Sequence, residues 1–199
     1  MSKYTFLFDL DSTVTREEIL PKISIKVNKQ DEMRKLTEMT MNGEMPFRES
    51  FLNRVKLLSE IPVDYVQNEV ANIKLNEKLV EFLKQNRENC YIVTGNLDVW
   101  ICKLMEKIGM ENNYFCSKAI EKDNRLVDVV SVVDKKEVVS QFQNIIAVGD
   151  GNNDAEMISM AEVGIGFGGV RNIAPAVLEV CTHAIYDEEA LVAFLNRFV

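Results

Sequence analysis

Short apolar runs, each ending in polar loop-forming residues, punctuate the chain. Tyr4–Phe8 stops at Asp9, Cys90–Val93 at Thr94-Gly95-Asn96, and Ile145–Val148 at Gly149-Asp150-Gly151. Runs this short and this rich in Ile, Val and aromatics predict buried parallel strands, because a strand covered on both faces has no polar side to show. Val163–Phe167 and His183–Tyr186 predict two more. Helical patterns between them point to an open α/β sheet, in which ligands bind beyond the carboxyl ends of the strands. The stretch from Arg16 to Asn76 differs, being helical in pattern with no strand-like run. Within it, Gln30–Asn42 is amphipathic and ends at Gly43, a usual residue just past a helix end. Pro46–Leu58 follows with a proline in its first turn. Tyr114–Ile120 and Leu126–Val133 flank the turn-rich Glu121–Arg125, which predicts a hairpin.

Composition narrows the function classes. The chain has 199 residues, long enough for one core with a sizeable insertion. Its 23 Lys+Arg against 31 Asp+Glu give a net charge of −8, which argues against nucleic acid or an anionic membrane as partner. No apolar run approaches the roughly 20 residues that cross a bilayer. The first carboxylate arrives at Asp9, too early for a leader segment before it, so a cytoplasmic protein is expected. Four cysteines without C-x-x-C spacing form neither a zinc pattern nor a disulfide framework, and Cys90 and Cys181, beside apolar runs, are expected to be small buried hydrophobes. His183 beside an apolar strand reads as structural, and Trp100 carries no functional signal.

The candidate chemistry lies at the predicted strand ends. On extended backbone Asp9 and Asp11 project to one side. Two carboxylates there repel unless a cation joins them, although a polar turn holding two acids is the simpler alternative. Asp150, in Gly149-Asp150-Gly151-Asn152-Asn153-Asp154, can join Asp9 on a hard divalent cation such as Mg2+. Thr94-Gly95-Asn96 is expected to open a helix over Leu97–Ile108, closed by Gly109, offering an anion site or simple N-capping. Asp134 and Glu137 have capping-box spacing and place Lys135 at a first helical position, where the dipole disfavours a cation unless an anion is near. Arg54 falls inside the apolar stripe Phe47, Phe51, Leu58, where a charge needs a partner or must reach solvent along the helix edge. A substrate carboxylate bound by both guanidinium arms is the sharper reading.

In this order, carboxylate pair, hydroxyl, lysine and second acidic cluster make the chain resemble the haloacid dehalogenase superfamily of phosphatases. The resemblance spans essentially the whole chain and rests on Asp9-Leu10-Asp11-Ser12-Thr13-Val14 and Gly149–Asp154. It implies an α/β fold: a Rossmann-like parallel sheet core with helices on both faces, a helical-bundle cap inserted after strand 1 and a small β-hairpin flap. Residues 1–15 and 76–199 would form the core, with 114–133 the flap, and 16–75 the cap. Asp9 would be the nucleophile and Asp11 the general acid, then base. Mg2+ would bind Asp9, Asp150 and the Asp11 carbonyl, with Asp154 supporting that shell. Thr94, Gly95 and Lys135 would hold the phosphoryl group, with Asn96 beside it.

Within the superfamily, the opening run to Glu18 and the segment Met41-Asn42-Gly43-Glu44-Met45-Pro46-Phe47 followed by Arg54 resemble the phosphoserine phosphatases. That likeness implies Glu18 on a substrate amine, Arg54 on its carboxylate, Met41 and Phe47 lining the pocket, and Asn153 touching substrate. The sequence departs from the subfamily at Thr94-Gly95-Asn96-Leu97, where Ser-Gly-Gly-Phe is usual. A small phosphomonoester is therefore the expected substrate: phosphoserine or a similar amino-acid or amino-alcohol phosphate, with phosphoethanolamine, phosphocholine, a sugar phosphate or an acid phosphate as alternatives. A phosphorylated receiver-like signalling domain is the alternative from another class.

Overall fold

The computed structural model describes residues 3–41 and 44–199, apart from the side chain of Met41. Seven strands form one sheet, ordered β4-β3-β2-β1-β5-β6-β7. They are β1 Thr5–Phe8, β2 Cys90–Leu97, β3 Tyr114–Lys122, β4 Arg125–Ser131, β5 Ile145–Gly149, β6 Val163–Phe167 and β7 His183–Ile185. All neighbours run parallel except β3 and β4.

The apolar runs alternate in which layer they feed. Phe6, Phe8, Ile92, Ile146 and Val148 belong to one core, and Leu7, Val93, Ile145 and Ala147 to the other. On the first face lie α5 (Glu77–Gln85), α6 (Asp98–Ile108) and α10 (Glu188–Leu195), through residues such as Phe82, Trp100 and Leu191. On the second lie α7 (Lys135–Val139), α8 (Ala155–Ser159) and α9 (Pro175–Val180), through Val139, Met157 and Val177. Continuous apolar strands thus follow from burial on both sides.

Between β1 and α5 the described residues form four inserted helices: α1 Ile19–Ser24, α2 Gln30–Met41, α3 Phe47–Leu58 and α4 Val63–Ala71. The chain enters and leaves this insertion side by side. Thr15 and Leu75 form an antiparallel bridge, Arg16 N–H donates to the Lys74 carbonyl at 2.8 Å, and Asn76 N–H donates to the Val14 carbonyl at 2.9 Å. Pro46 sits just before α3 as its N-cap, one place earlier than expected. The expected helix end at Asn42-Gly43 lies outside the described residues.

The expected hairpin is present as β3 and β4, and β3 also continues the main sheet beside β2. Two expectations are corrected. Cys181 is only partly buried, its thiol set beside the Leu178 carbonyl, whereas Cys90 is fully enclosed. The helix after β2 begins at Asp98, and Thr94-Gly95-Asn96 belongs to the strand end. Gly109 closes that helix as expected, with φ of 75°.

Candidate active site

β1 lies at the centre of the sheet, with β2 and β5 on either side, so their carboxyl ends bring Asp9, Thr94–Asn96 and Asp150 to one place. After Asp9 the chain turns within Leu10–Val14, closed by Thr15 N–H to the Leu10 carbonyl at 2.9 Å, with Ser12 in the left-handed region at φ 57°. That turn aims Asp11 at the insertion: its Oδ1 accepts from the Ile19 N–H at 2.7 Å, and its Oδ2 from the Asn96 amide.

Asn96 reaches Asp11 because β2 bulges. Thr94 pairs with Cys116 and Leu97 with Ser117, so Gly95 and Asn96 are extra on the β2 side of the ladder. Neither Thr94 nor Asn96 caps α6, which removes the N-capping alternative for them. Instead the Thr94 hydroxyl oxygen accepts from the Asn96 N–H at 3.2 Å and the Asn96 amide at 3.1 Å. The Asn96 side-chain oxygen, Oδ1, is buried without a donor among the described residues. Above Gly95 lies the Phe47 ring of α3, so close that a Cβ at Gly95 would stand 2.6 Å from its Cζ.

Lys135 opens α7, and Asp134 caps that helix by accepting from the Lys136 N–H at 2.8 Å. The anion that its awkward position called for belongs to the protein. Its ammonium donates to Asp9 Oδ1 and to Asp154 Oδ1, both at 2.5 Å, in a site where Lys135 is 5% exposed. The other oxygen of Asp154 accepts from the N–H groups of Asp150, at 3.0 Å, and Gly151, at 2.8 Å. Asp154 therefore spans the lysine and the loop that carries Asp150.

The electrostatics show a surplus of buried negative charge. Burial pushes Asp9 well above the ordinary carboxylate range, Asp154 adds to this, and Lys135 only partly opposes it. Burial also raises Asp150 to about 7 despite the Arg171 guanidinium beside it. Asp11 is raised by burial against the Ile19 N–H that favours its charged form. For Lys135, burial pulls the ammonium down, but Asp154 and Asp9 prevail and the net shift is upward. Oxygens of Asp9, Asp150 and Asp154 lie within 4.8 Å of one another. Three hard, buried oxygen donors whose charge is incompletely offset suit a small divalent cation.

A cavity of about 80 Å³ opens above Asp9 and Asp11. Glu18, Phe47, Arg54, Gly95, Asn96 and Asn153 line it. Thr94 is fully buried and Lys135 nearly so, and neither lines this cavity. Met41, expected in this wall, has a side chain outside the described residues. Arg54 makes no ion pair among the described residues; its Nε donates only a long 3.4 Å bond to the Ser50 carbonyl. Burial lowers its pKa, partly offset by Glu18 and Asp11.

Arg171 was not anticipated. It follows Gly168-Gly169-Val170 after β6, pairs through Nε with Asp150 and through Nη1 with Glu18, and lines the cavity. A lone arginine in a short glycine-rich loop carries no periodic signal, so only the loop's place beyond a strand end could have marked it.

This geometry matches known proteins. A family model described as haloacid dehalogenase-like hydrolase fits residues 6–159, and a second of the same description fits 135–192. The chain belongs to the haloacid dehalogenase-like hydrolase family. It falls with that family's phosphoserine phosphatase-like phosphatases, which are phosphoric monoester hydrolases. A phosphoserine phosphatase of Archaeoglobus fulgidus is 33% identical over 83% of this chain, which spans 52% of that protein's length. One from Methanocaldococcus jannaschii is 30% identical over 83% of this chain and 85% of its own length. A phosphoserine phosphatase structure with an analogue of the phospho-aspartyl intermediate superposes with TM-score 0.79 at 26% identity, covering 98% of this chain and 99% of that one. A substrate-bound complex gives 0.80 at 26% identity, covering 98% of each chain. The family match and the four inserted helices remove the receiver-domain alternative. No described helix is long and apolar enough to cross a membrane.

Proposed function

We propose that the chain hydrolyses the phosphate monoester of a small carboxylate-bearing metabolite, L-phosphoserine foremost, through a phosphorylated Asp9. The observation that carries this reading is Arg54: a buried guanidinium, without a carboxylate partner among the described residues, lining the cavity that ends on Asp9. An unpaired buried charge is costly, and a substrate carboxylate would complete it. The cavity is far smaller than the roughly 300–1,000 Å³ of drug-sized ligand sites, which favours a small metabolite.

Asp9 attacks phosphorus in line, forming an acyl phosphate as the bond to the leaving oxygen breaks. Asp11 gives that oxygen its proton; the bonds from Ile19 and Asn96 fix its direction. Asp11 then takes a proton from water, which attacks the same phosphorus and frees Asp9 and inorganic phosphate. Lys135, pinned by Asp9 and Asp154, faces charge developing on the phosphoryl oxygens, with the Thr94 hydroxyl and the Gly95 N–H as further donors. Mg2+, held by Asp9, Asp150 and the Asp11 carbonyl with Asp154 in support, would supply the positive charge that lets a carboxylate approach a phosphate. Glu18 would meet a substrate amine, and Phe47 and Asn153 the substrate's remaining surface.

Residues 16–75 would act as a cap moving on the paired strands at Thr15 and Leu75, closing to exclude water and opening to admit it. Four free cysteines fit a reducing, cytoplasmic setting, and the net charge of −8 a small-molecule partner in place of nucleic acid.

The test is phosphate release from L-phosphoserine, phosphoethanolamine, phosphocholine, sugar phosphates and an aryl phosphate. L-phosphoserine is expected to lead. Arg54→Ala is expected to cost carboxylate substrates about tenfold to a hundredfold in kcat/KM, the worth of charge-assisted bonds, and to spare the aryl phosphate. Equal losses on both would remove Arg54 from substrate selection.

A further inference from the structure

The cavity above Asp9 is lined by two guanidinium groups. Arg54, from α3, has no carboxylate partner among the described residues. Arg171, from the loop after β6, has two: Glu18 at the start of the inserted helices and Asp150 in the core. Glu18 is the carboxylate that the proposed reading assigns to a substrate amine, and Arg171 already neutralises it.

We infer that Arg171 is a specificity-determining residue: by pairing with Glu18 it weakens selection for a charged amine, so the site takes small phosphorylated carboxylates with or without one. The inference rests on the proposed function and deepens it by naming the substrate class.

An ammonium group arriving at Glu18 competes with a guanidinium. If it shares the carboxylate, a third cation joins Arg54 and Arg171 around a cavity of about 80 Å³. If it displaces Arg171, that guanidinium loses a charge-assisted bond. Either way the gain from the amine shrinks, whereas a substrate bearing hydrogen or hydroxyl there leaves the Arg171–Glu18 pair intact. The second arm strengthens the effect, because Asp150 is fully buried and fixes the guanidinium on the core. Occupation of Asp150 by a cation would not release Glu18, which would then be the remaining anion for Arg171. The Arg54 guanidinium keeps its role throughout, since a carboxylate is common to the whole class.

The experiment compares kcat/KM for L-phosphoserine with that for its des-amino analogue, 3-phosphooxypropanoate, with Mg2+ present. Both substrates meet the same enzyme, so a general loss of activity in a variant cancels in the ratio. The wild-type ratio is expected to stay within about threefold, and Arg171→Gln to raise it at least about tenfold, the size of one charge-assisted contact. Adding Glu18→Gln to Arg171→Gln is expected to return the ratio to the wild-type value. Should Arg171→Gln turn over too slowly, calorimetric titration with L-serine and with 3-hydroxypropanoate reads the same preference without catalysis. A wild-type preference for the amine beyond about tenfold, or a ratio that Arg171→Gln leaves unchanged, overturns the inference. If the wild type cleaves an aryl phosphate and neither carboxylate substrate, the proposed substrate class itself fails and takes the inference with it.

Discussion

Asp11 illustrates how single side chains set the chemistry. Both its oxygens accept hydrogen bonds, from Ile19 N–H and from the Asn96 amide, while burial raises its pKa. In the proposed mechanism the first influence would aim the group and the second would favour its acid form. Asn96 also replaces the glycine usual in the subfamily, so this chain holds its acid by a contact that glycine cannot make. Asn96→Gly is expected to slow alkyl phosphates, whose poor leaving groups need a well-aimed proton, by about tenfold, and aryl phosphates far less. The comparison of kcat values on the two substrate types checks it; equal slowing would mean that Asn96 does not act through Asp11. The placement of Asp9, Asp150 and Lys135 was legible in the sequence because each sits where an apolar run or a helix begins or ends, and that of Asp11 because it follows Asp9 by two residues. Arg171 was not, because its partners Glu18 and Asp150 are 153 and 21 residues away and no local pattern connects them.

At the scale of elements, β1, β2, β5 and β6 were legible because strands buried on both faces cannot hide among polar residues, whereas the edge strand β7, exposed at His183 and Ala184, gave a weaker signal. The start of α6 was misplaced because Thr and Asn favour helix N-caps. Tertiary pairing with β3 overrode that preference and extended β2 through a bulge to Leu97. The hairpin was seen, but its membership of the main sheet depends on non-local pairing to β2 that composition does not encode. The contact between α3 and this bulge is a tight one, Phe47 over Gly95. Gly95→Ala is expected to push the Phe47 ring off the site and raise KM for L-phosphoserine about tenfold, with a smaller effect on melting temperature. Adding Phe47→Leu is expected to restore part of the loss. An unchanged KM in the single variant would show that the ring does not need that approach.

Across the whole molecule, an acidic protein concentrates Lys135, Arg54 and Arg171 around a cluster of buried carboxylates. This arrangement has a pH signature in the metal-free protein. Asp150 rises from its ordinary 3.8 to about 7 on folding. A folded-state pKa above the unfolded one means that the folded protein holds the extra proton between those values. The stability this contributes is full below the unfolded pKa and disappears as the pH rises through the folded one. Metal-free protein is therefore expected to melt at a lower temperature at about pH 8 than at about pH 5.5, with Mg2+ restoring stability at the higher pH. Thermal melts with and without chelator check this, and a metal-free melting temperature that rises with pH would contradict it.

The central claim is that Asp9 carries the phosphoryl group. Quenching turnover in acid, reducing with borohydride and mapping peptides by mass spectrometry tests it directly, since reduction converts an aspartyl phosphate to homoserine. The account predicts homoserine at position 9 during turnover of L-phosphoserine and none in Asp9→Asn, which should be folded and inactive. Continued turnover in Asp9→Asn, or trapped label at Asp11 or Asp150 in place of Asp9, would contradict it.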